Sequence, residues 1–421
     1  MMSDAPPPDP LREKPTRSIT APAGFTAVGH TCGIKESGKP DLALIVSDRP
    51  AAAAGVFTTN AFKGAPVLVG MDHLAATGGR ARAIVCNSGN SNVATLGMGG
   101  REDAEAMCRA AAEAVGCTPE AVLPASTGII GRKLPIDAIL GGIRDAAPGL
   151  GASARHDHAA ATAVLTTDLV TKSALHRATI GGAPISVGGI GKGSGMIAPS
   201  MATMLVFVTT DAAVEPSALR LALAEANRAS FNRMSVDSDT STSDTLYVLA
   251  NGAAANDPIT DADHAGYPAL VDALTGVCRD LADAVVRDGE GATRTFAVGV
   301  RNAASVDDAD RIGRAVVDSP LVKCAIHGCD PNWGRLVMAA GKSGARIDPD
   351  RFTVEIEGTC VFRDGSPADN SEAALAALAE RMSGDRVHVT LDLHHRDGAD
   401  ADWLGCDLSR QYIAINADYT T

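Results

Sequence analysis

A threonine stands where a glycine-rich loop meets an apolar segment, in the stretch GKGSGMIAPSMATMLVFVTT from residue 191 to 210. If the bond between Ala202 and Thr203 were cut, Thr203 would carry a free α-amine beside its own hydroxyl. Because an α-amine has an unperturbed pKa of about 8, it can accept the hydroxyl proton near neutral pH. An amino-terminal threonine is therefore a nucleophile and its own general base. Residue type alone leaves the ordinary alternative, a structural threonine that begins a strand.

The glycines of this loop do not form a nucleotide-binding motif. A phosphate-binding loop requires a glycine five residues before Gly191 and a Ser or Thr directly after Lys192. The chain has Ser186 and Gly193 at those two positions. The dinucleotide fingerprint fails as well, since Met196 occupies the place of its third glycine. The loop therefore indicates a function other than nucleotide binding.

The composition favours a globular protein that acts on a small molecule. The chain has 421 residues, of which 45% are hydrophobic, and a formal net charge of −13 at pH 7. This length favours two or three domains with buried cores. The negative charge disfavours nucleic acids and anionic membrane surfaces as partners. No apolar run approaches the roughly 20 residues that a membrane span needs.

The cysteines and the first residues suggest a cytoplasmic location. The 9 cysteines are odd in number and lack the spacing of a disulfide framework, which indicates reduced thiols. Residues 1–22 are rich in proline and contain no apolar core of the secretory kind. We interpret this segment as a disordered tail.

Strand-like and helix-like segments alternate along the chain, which predicts the α/β or α+β class. Strands are predicted at 41–48, 66–71, 81–89, 245–252, 294–300, 351–358 and 386–394. Helices are predicted at 102–115, 135–147, 216–230, 267–289, 309–317 and 371–382. We place a domain boundary near residue 295, because the elements that follow are numerous enough to form a small layered unit of their own.

Three segments resemble metal sites, but none predicts one. Cys324 and Cys329 lack a second pair of zinc ligands. The segment DSDTSTSDT (237–245) lacks both the glycine and the closing glutamate of a calcium loop, so we expect it to tie a turn through its short side chains. The segment HHRDGADAD (394–402) is interpreted as an exposed loop, and His327 as a structural histidine.

Long segments of the chain resemble the ornithine acetyltransferase family, also called glutamate N-acetyltransferase. The processing-site motif is matched by KGSGMIAPSMATML (192–205), and other segments match in the family's order to the last residue. They are 24–48, 53–60, STGIIGRKLP (126–135), TTDLVTK (166–172), 231–245, VVRDGEGAT (285–293), 319–335, 403–408 and YIAINADYTT (412–421). The chain is therefore identified as a member of this family.

The resemblance implies a fold and a chain that cuts itself. The expected fold is a layered α/β/β/α sandwich of the self-processing aminopeptidase kind, with a smaller C-terminal α/β domain. The main domain would span residues 23–294 and the smaller one residues 295–421, with its terminal segment returning to the active site. Cleavage between Ala202 and Thr203 would give an α fragment, 1–202, and a β fragment, 203–421, which the family assembles as α2β2.

The resemblance also implies roles for individual residues. Thr203 matches the nucleophile, and Thr127 with Gly128 matches the pair that stabilises the oxyanion. The implied substrate contacts are Thr166, Lys192, Thr203, Glu290, Asn416 and Thr421. In the TTD segment the contact falls on Thr166 or Thr167, and we favour Thr166.

These residue types suit an acetylated amino acid. Lys192 would bind the carboxylate of N2-acetyl-L-ornithine, and Glu290 its side-chain ammonium. The implied reaction transfers the acetyl group through acetyl-Thr203 to L-glutamate by double displacement, without a cofactor or metal. Use of acetyl-CoA as a co-substrate stays open. The alternatives are a self-processing amidohydrolase or aminopeptidase of the same fold, and an amino-acid-binding protein that never processes.

Overall fold

The computed structural model describes residues 16–198 and 204–418. Its strands are β1 (Phe25–His30), β2 (Leu42–Phe57), β3 (Arg80–Asn90), β4 (Val122–Ile129), β5 (Lys172–Ile180), β6 (Ala183–Lys192), β7 (Leu205–Thr210), β8 (Met234–Ser235), β9 (Thr245–Ala250), β10 (Thr295–Ala303), β11 (Thr353–Ile356), β12 (Thr359–Arg363), β13 (Ser366–Pro367), β14 (Arg386–Asp392) and β15 (Ala399–Cys406). Its helices are α1 (Ala65–Ala76), α2 (Gly100–Val115), α3 (Ile136–Ala146), α4 (Ala154–Ala163), α5 (Pro216–Arg228), α6 (Tyr267–Arg287), α7 (Val306–Val317), α8 (Pro320–His327), α9 (Trp333–Gly341), α10 (Glu372–Arg381) and α11 (Arg410–Asp418).

The larger sheet folds over on its long strand β2. Its order is β4-β3-β2-β9-β7-β6-β5, with β1 also paired to β2. The first half of β2 pairs with β1 and the second half with β9. Between the two halves the register with β3 shifts, and residues 48–50 are exposed. An interruption of this kind bends a strand, so β2 can serve both halves of the sheet.

The apolar cores show that the folded sheet forms two inner layers. The inner core lies between β1–β4 and β6, β7 and β9, and includes Ile45, Ile84, Phe207 and Tyr247. On one outer face, α1, α2 and α3 cover β1–β4. On the other, α5 and α6 cover β5, β6, β7 and β9. The predicted α/β class is confirmed, and the layer order is α/β/β/α.

The long helix α6 follows directly from its sequence pattern. Leu270, Leu274, Val277, Leu281 and Val285 are buried and recur every three or four residues, which places them on one face of the helix. Each such side chain contributes about 1.5–3 kcal/mol when it is fully buried. This face packs on the outer side of the folded sheet.

The second sheet has the order β13-β12-β11-β14-β10-β15-β8. Helices α7, α8, α9 and α10 contribute to its core, which is separate from those of the larger sheet. Except for β8, the described strands of this sheet lie after residue 294. The domain boundary at 294/295 stays a prediction. No helix among the described residues is both long and apolar enough to cross a membrane.

Of the segment 1–22, which was predicted to be a disordered tail, the structure describes residues 16–22. Ile19 is 0% exposed, and the N–H groups of Ser18 and Thr20 donate to Asp157. The prediction is therefore wrong for residues 18–20.

Two predictions about single elements are also wrong. Residues 66–71, predicted as a strand, lie in α1, with Pro66 in its first turn and Val67 and Val69 buried. A six-residue apolar run fits a buried helix as well as a strand. The predicted loop 394–402 ends inside β15, where Ala401 and Trp403 are buried with the alternation of a strand.

Candidate active site

A cavity of about 440 Å³ brings the ends of many elements together. It is lined by residues from the turns after β4, β6 and α6, from the segments before β5 and β9, and from α11. The predicted site residues that the structure describes all line it: Thr127, Gly128, Thr166, Lys192, Glu290 and Asn416. Ala202, Thr203 and Thr421 lie outside the described residues.

At the end of β4, a hydroxyl faces this cavity beside a glycine that no other residue could replace without strain. Thr127 is 1% exposed, and its Oγ1 has no hydrogen-bond partner in the described part of the chain. Gly128 has φ +126°, and a Cβ there would lie 2.4 Å from the backbone carbon of Gly89. The close approach of β3 and β4 therefore requires a glycine at position 128.

Lys192, at the end of β6, is a buried cation. It is 2% exposed, and within the described residues its ammonium has one hydrogen-bond partner, Thr166 Oγ1, at 3.2 Å. Burial lowers the pKa of Lys192, and the charge of Asp168 partly offsets this effect. An ammonium has three donors, so Lys192 retains capacity to bind an anion in the cavity.

The two threonines that the sequence left as alternatives differ in their contacts. Thr166 Oγ1 accepts from Lys192, whereas Thr167 Oγ1 lies 2.7 Å from Ser194 Oγ. The hydroxyl of Thr166 is therefore placed beside the buried ammonium, and that of Thr167 is tied to the glycine-rich loop.

Glu290 places a carboxylate on another wall of the cavity. Asn416 Nδ2, from α11, donates to Glu290 Oε2 at 2.9 Å. The backbone N–H of Glu290 donates to Ser194 O at 2.8 Å. A Cβ at Gly195 would lie 2.4 Å from the carboxyl carbon of Glu290. The glycine therefore provides the space that this carboxylate occupies.

Two aspartates, one partly and one fully buried, hold the chain on both sides of the predicted cleavage site. Asp237 accepts hydrogen bonds from the N–H groups of Met196, at 2.6 Å, and Ile197, at 2.8 Å. Asp244, which is fully buried, accepts from Met204 N at 2.8 Å. Burial raises the pKa of Asp244 well above its usual value. Both belong to the segment 237–245, which was predicted only to tie a turn.

The family model described as "ArgJ family" matches residues 26–421. The chain belongs to the ArgJ family. The "Arginine biosynthesis bifunctional protein ArgJ" of Symbiobacterium thermophilum is 47% identical over 405 residues, which cover 96% of this chain and 98% of that protein.

Two solved structures were also compared with this ArgJ-family chain. That of the arginine biosynthesis bifunctional protein argJ from Bacillus halodurans is 37% identical, covers 51% of this chain and 98% of the solved chain, and gives a TM-score of 0.48. That of the ornithine acetyltransferase complexed with ornithine from Mycobacterium tuberculosis is 38% identical, covers 45% and 96%, and gives a TM-score of 0.40.

Sequence reasoning missed the groups in this ArgJ-family chain that hold the cavity walls. They are Asp168, Lys172, Asp237, Asp244, Asp288 and Tyr412. All six lie within the segments that carry the family resemblance, but nothing in residue type or spacing tells a buried carboxylate from an exposed one. Their roles depend on contacts between distant parts of the chain.

The segments that resembled metal sites make other contacts. His327 Nδ1 lies 2.7 Å from Asp407 Oδ2, and His394 Nε2 lies 2.8 Å from Thr353 Oγ1. Within residues 16–198 and 204–418, no cluster of three or more His, Cys, Asp or Glu side chains is arranged to hold a metal ion.

Proposed function

We propose that the chain catalyses acetyl transfer from N2-acetyl-L-ornithine to L-glutamate, through an acetyl group carried on Thr203 after cleavage between Ala202 and Thr203. One observation carries this proposal. A buried ammonium, a carboxylate and a hydroxyl that has no partner among the described residues line one cavity, in a chain that belongs to the ArgJ family. The name of the Symbiobacterium relative, which refers to arginine biosynthesis, agrees with a substrate of this kind.

The charges in the cavity match those of the donor substrate. N2-acetylornithine carries a carboxylate and a side-chain ammonium, and its α-nitrogen is a neutral amide. Lys192, with Thr166 beside it, binds the carboxylate, and Glu290, held by Asn416, binds the ammonium. These two contacts hold the acetyl carbonyl in a fixed position relative to the nucleophile. Holding two reacting groups in the right geometry accelerates their reaction.

The reaction proceeds in two halves. The hydroxyl of Thr203 attacks the acetyl carbonyl, its α-amine accepts the hydroxyl proton, and that proton passes to the departing nitrogen of ornithine. Glutamate then enters and its amine takes the acetyl group from Thr203. Thr127 and Gly128 stabilise the negative charge that develops on the carbonyl oxygen. No metal or cofactor takes part.

Three measurements on the purified protein test this proposal. Denaturing electrophoresis should give two fragments of similar size, and sequencing of the second should begin with Thr-Met-Leu. Incubation with N2-acetylornithine and glutamate should then yield ornithine and N-acetylglutamate. Release of acetate at the same rate with and without glutamate would instead identify a hydrolase, and a single intact chain would support a binding protein. Glutamate acetylation with acetyl-CoA as the sole donor would show whether that co-substrate is used.

We further propose an α2β2 assembly of the two fragments and a cytoplasmic location. The assembly is tested by native mass spectrometry, in which a mass of twice the sum of both fragments is expected.

Replacing Thr127 with valine should lower kcat about 10²-fold and leave KM nearly unchanged. Valine keeps the shape of threonine but removes the hydroxyl, whose interaction forms only as charge develops in the transition state. Steady-state kinetics with N2-acetylornithine measures both constants. Thr162→Val is the control, since Thr162 is a buried threonine in α4 that is absent from the cavity lining. An unchanged kcat in Thr127→Val would assign this hydroxyl a structural role.

Replacing Glu290 with glutamine should weaken recognition of the substrate ammonium by about 10–100-fold in KM. The glutamine carbonyl can still accept from Asn416, so the change removes mainly the charge. The informative comparison uses N2-acetylnorvaline, which lacks the ammonium. The wild type should prefer N2-acetylornithine, and the variant should lose this preference. If the preference persists, the ammonium binds elsewhere. Glu225→Gln, on the outer helix α5, is the matched control.

A further inference from the structure

Behind the cavity wall, a lysine bridges two aspartates in the protein interior. Lys172 Nζ lies 2.6 Å from Asp168 Oδ1 and 2.6 Å from Asp288 Oδ2, and the side chains are 0%, 0% and 5% exposed. Removing charges from water is costly, and apolar residues often stabilise such a position equally well. Stability alone therefore does not explain why three charged groups are buried here.

Asp168 accepts hydrogen bonds from two backbone segments, the one that carries Lys192 and the one that carries its partner Thr166. Its Oδ1 accepts from Gly193 N at 2.7 Å, and Gly193 follows Lys192 directly. Its Oδ2 accepts from Thr166 N at 3.1 Å, and the hydroxyl of Thr166 is the partner of Lys192 Nζ. One carboxylate thus holds the lysine and the threonine in a fixed relation.

Asp288 extends the same connection toward the other end of the substrate site. Its Oδ2 accepts from Leu169 N at 3.0 Å, and it lies two residues before Glu290. Through Lys172, the segment that carries Thr166 is therefore joined to the segment that carries Glu290. The cluster links the cation and the anion that line the cavity.

Asp168 also acts on Lys192 through its charge. Burial lowers the pKa of Lys192, while the negative charge of Asp168 raises it. Burial raises the pKa of Asp168, but the charges of Lys172 and Lys192 outweigh this effect and hold that pKa at about 2. Within the described part of the chain, the titratable groups that influence Lys192 are Lys35, Cys86, Asp168, Lys172 and Asp244.

We propose that Asp168, held in place by Lys172 and Asp288, is the positioning residue for the substrate-binding pair Lys192 and Thr166. Asp168 lies in the wall behind these two residues and acts through them, so it is not a catalytic residue. This inference rests on the proposed function, because it assumes that Lys192 binds the substrate carboxylate.

The test is Asp168→Asn, with kcat and KM for N2-acetylornithine measured across the pH range. The amide cannot accept all the hydrogen bonds of the carboxylate, so KM should rise about tenfold, with a smaller change in kcat. Loss of the negative charge lowers the pKa of Lys192 further, so the alkaline limb of kcat/KM should move to lower pH. A structural role alone would not move this limb.

The control is Asp157→Asn, because Asp157 is also a buried carboxylate that accepts from two backbone N–H groups, those of Ser18 and Thr20. This variant should lose stability but keep the KM and the pH profile of the wild type. An Asp168→Asn enzyme with unchanged KM and an unmoved alkaline limb would overturn the proposal.

If Asp168→Asn does not fold, Asp168→Glu is the second variant, because it keeps the negative charge beside Lys172 while its longer side chain moves the carboxylate away from Thr166 N and Gly193 N. Its KM should rise about tenfold, and an unchanged KM overturns the inference. Wild-type protein that fails to transfer acetyl groups would contradict the proposed function instead. Wild-type transfer with no effect in these variants contradicts only the role of Asp168.

Discussion

Replacing Thr203 with alanine is expected to leave a single uncut chain and to lower acetyl transfer by at least about 10⁴-fold. In the proposed mechanism, alanine removes the hydroxyl that serves both as the nucleophile of the reaction and as the attacking group in chain cleavage. The proposed oxyanion donors and substrate contacts stay in place, and we expect them to account for any residual rate. Denaturing electrophoresis and a transfer assay measure the two effects on the same sample.

Two further variants separate the chemistry of Thr203 from its packing. Thr203→Ser keeps a hydroxyl and an α-amine, so both cleavage and transfer should persist at reduced rates. Thr209→Ala removes a buried threonine of β7 that donates to Ile19 O, and it should be cleaved and active. A Thr203→Ala protein that is still cut before residue 203, or still transfers acetyl groups at the wild-type rate, would refute the mechanism.

Replacing Lys192 with methionine should lower kcat/KM about 10²–10³-fold, mainly through KM. Methionine fills a similar volume without charge, so the carboxylate of the substrate would enter a buried site without its counter-charge. Comparison with the carboxamide of N2-acetylornithine tests this reason directly. The wild type should discriminate strongly against the amide, and the variant should not.

The pH dependence of the wild type provides a second test of Lys192. Only the protonated lysine attracts a carboxylate, and burial lowers its pKa. Substrate binding should therefore be complete below this pKa and should weaken as the pH rises through it. Lys192→Met should lack this alkaline limb. Lys323→Met, which removes another buried lysine that donates to Cys406 O, should retain it. An alkaline limb that persists in Lys192→Met would assign the titration to a different group.

Most of the strands and helices that the local patterns predicted are present in the structure, although others, such as β1, β5 and α4, were not predicted. The apolar positions of α6 recur with the period of a helix, so α6 could be predicted from residue order alone. The error at α1 has a physical cause. Gly70 leaves room for the hydroxyl of Tyr247, which lies 2.0 Å from where a Cβ would be, and this contact joins residues far apart in the chain. A short apolar run in the sequence does not indicate such a contact.

The residues of the candidate site also fall into two groups, those that the sequence predicted and those that it did not. The family resemblance named Thr203, Thr127, Gly128, Lys192 and Glu290, because each stands in a long matching motif and the resemblance implies a chemical role for it. The supporting groups could not be named. Asp168 and Asp288, for example, are separated by 120 positions along the chain, and they meet only because β5 and α6 pack on each other. The order of residues in the chain does not show that these two side chains lie close together in space.

By itself, the sequence determined the family, because long motifs match in the family's order, and that resemblance implied a nucleophile, a base, oxyanion donors and counter-charges. Residue types and short spacings alone left a structural threonine as the alternative. Only the tertiary structure decided which of these groups share a cavity and which charges are buried. Burial changes the cost of a charge and therefore its pKa, and it depends on every element that packs around the group. The ammonium of Lys192 is the clearest case. Its positive charge follows from the residue type. Its burial, its single described hydrogen-bond partner and the effect of Asp168 on its pKa depend on the fold.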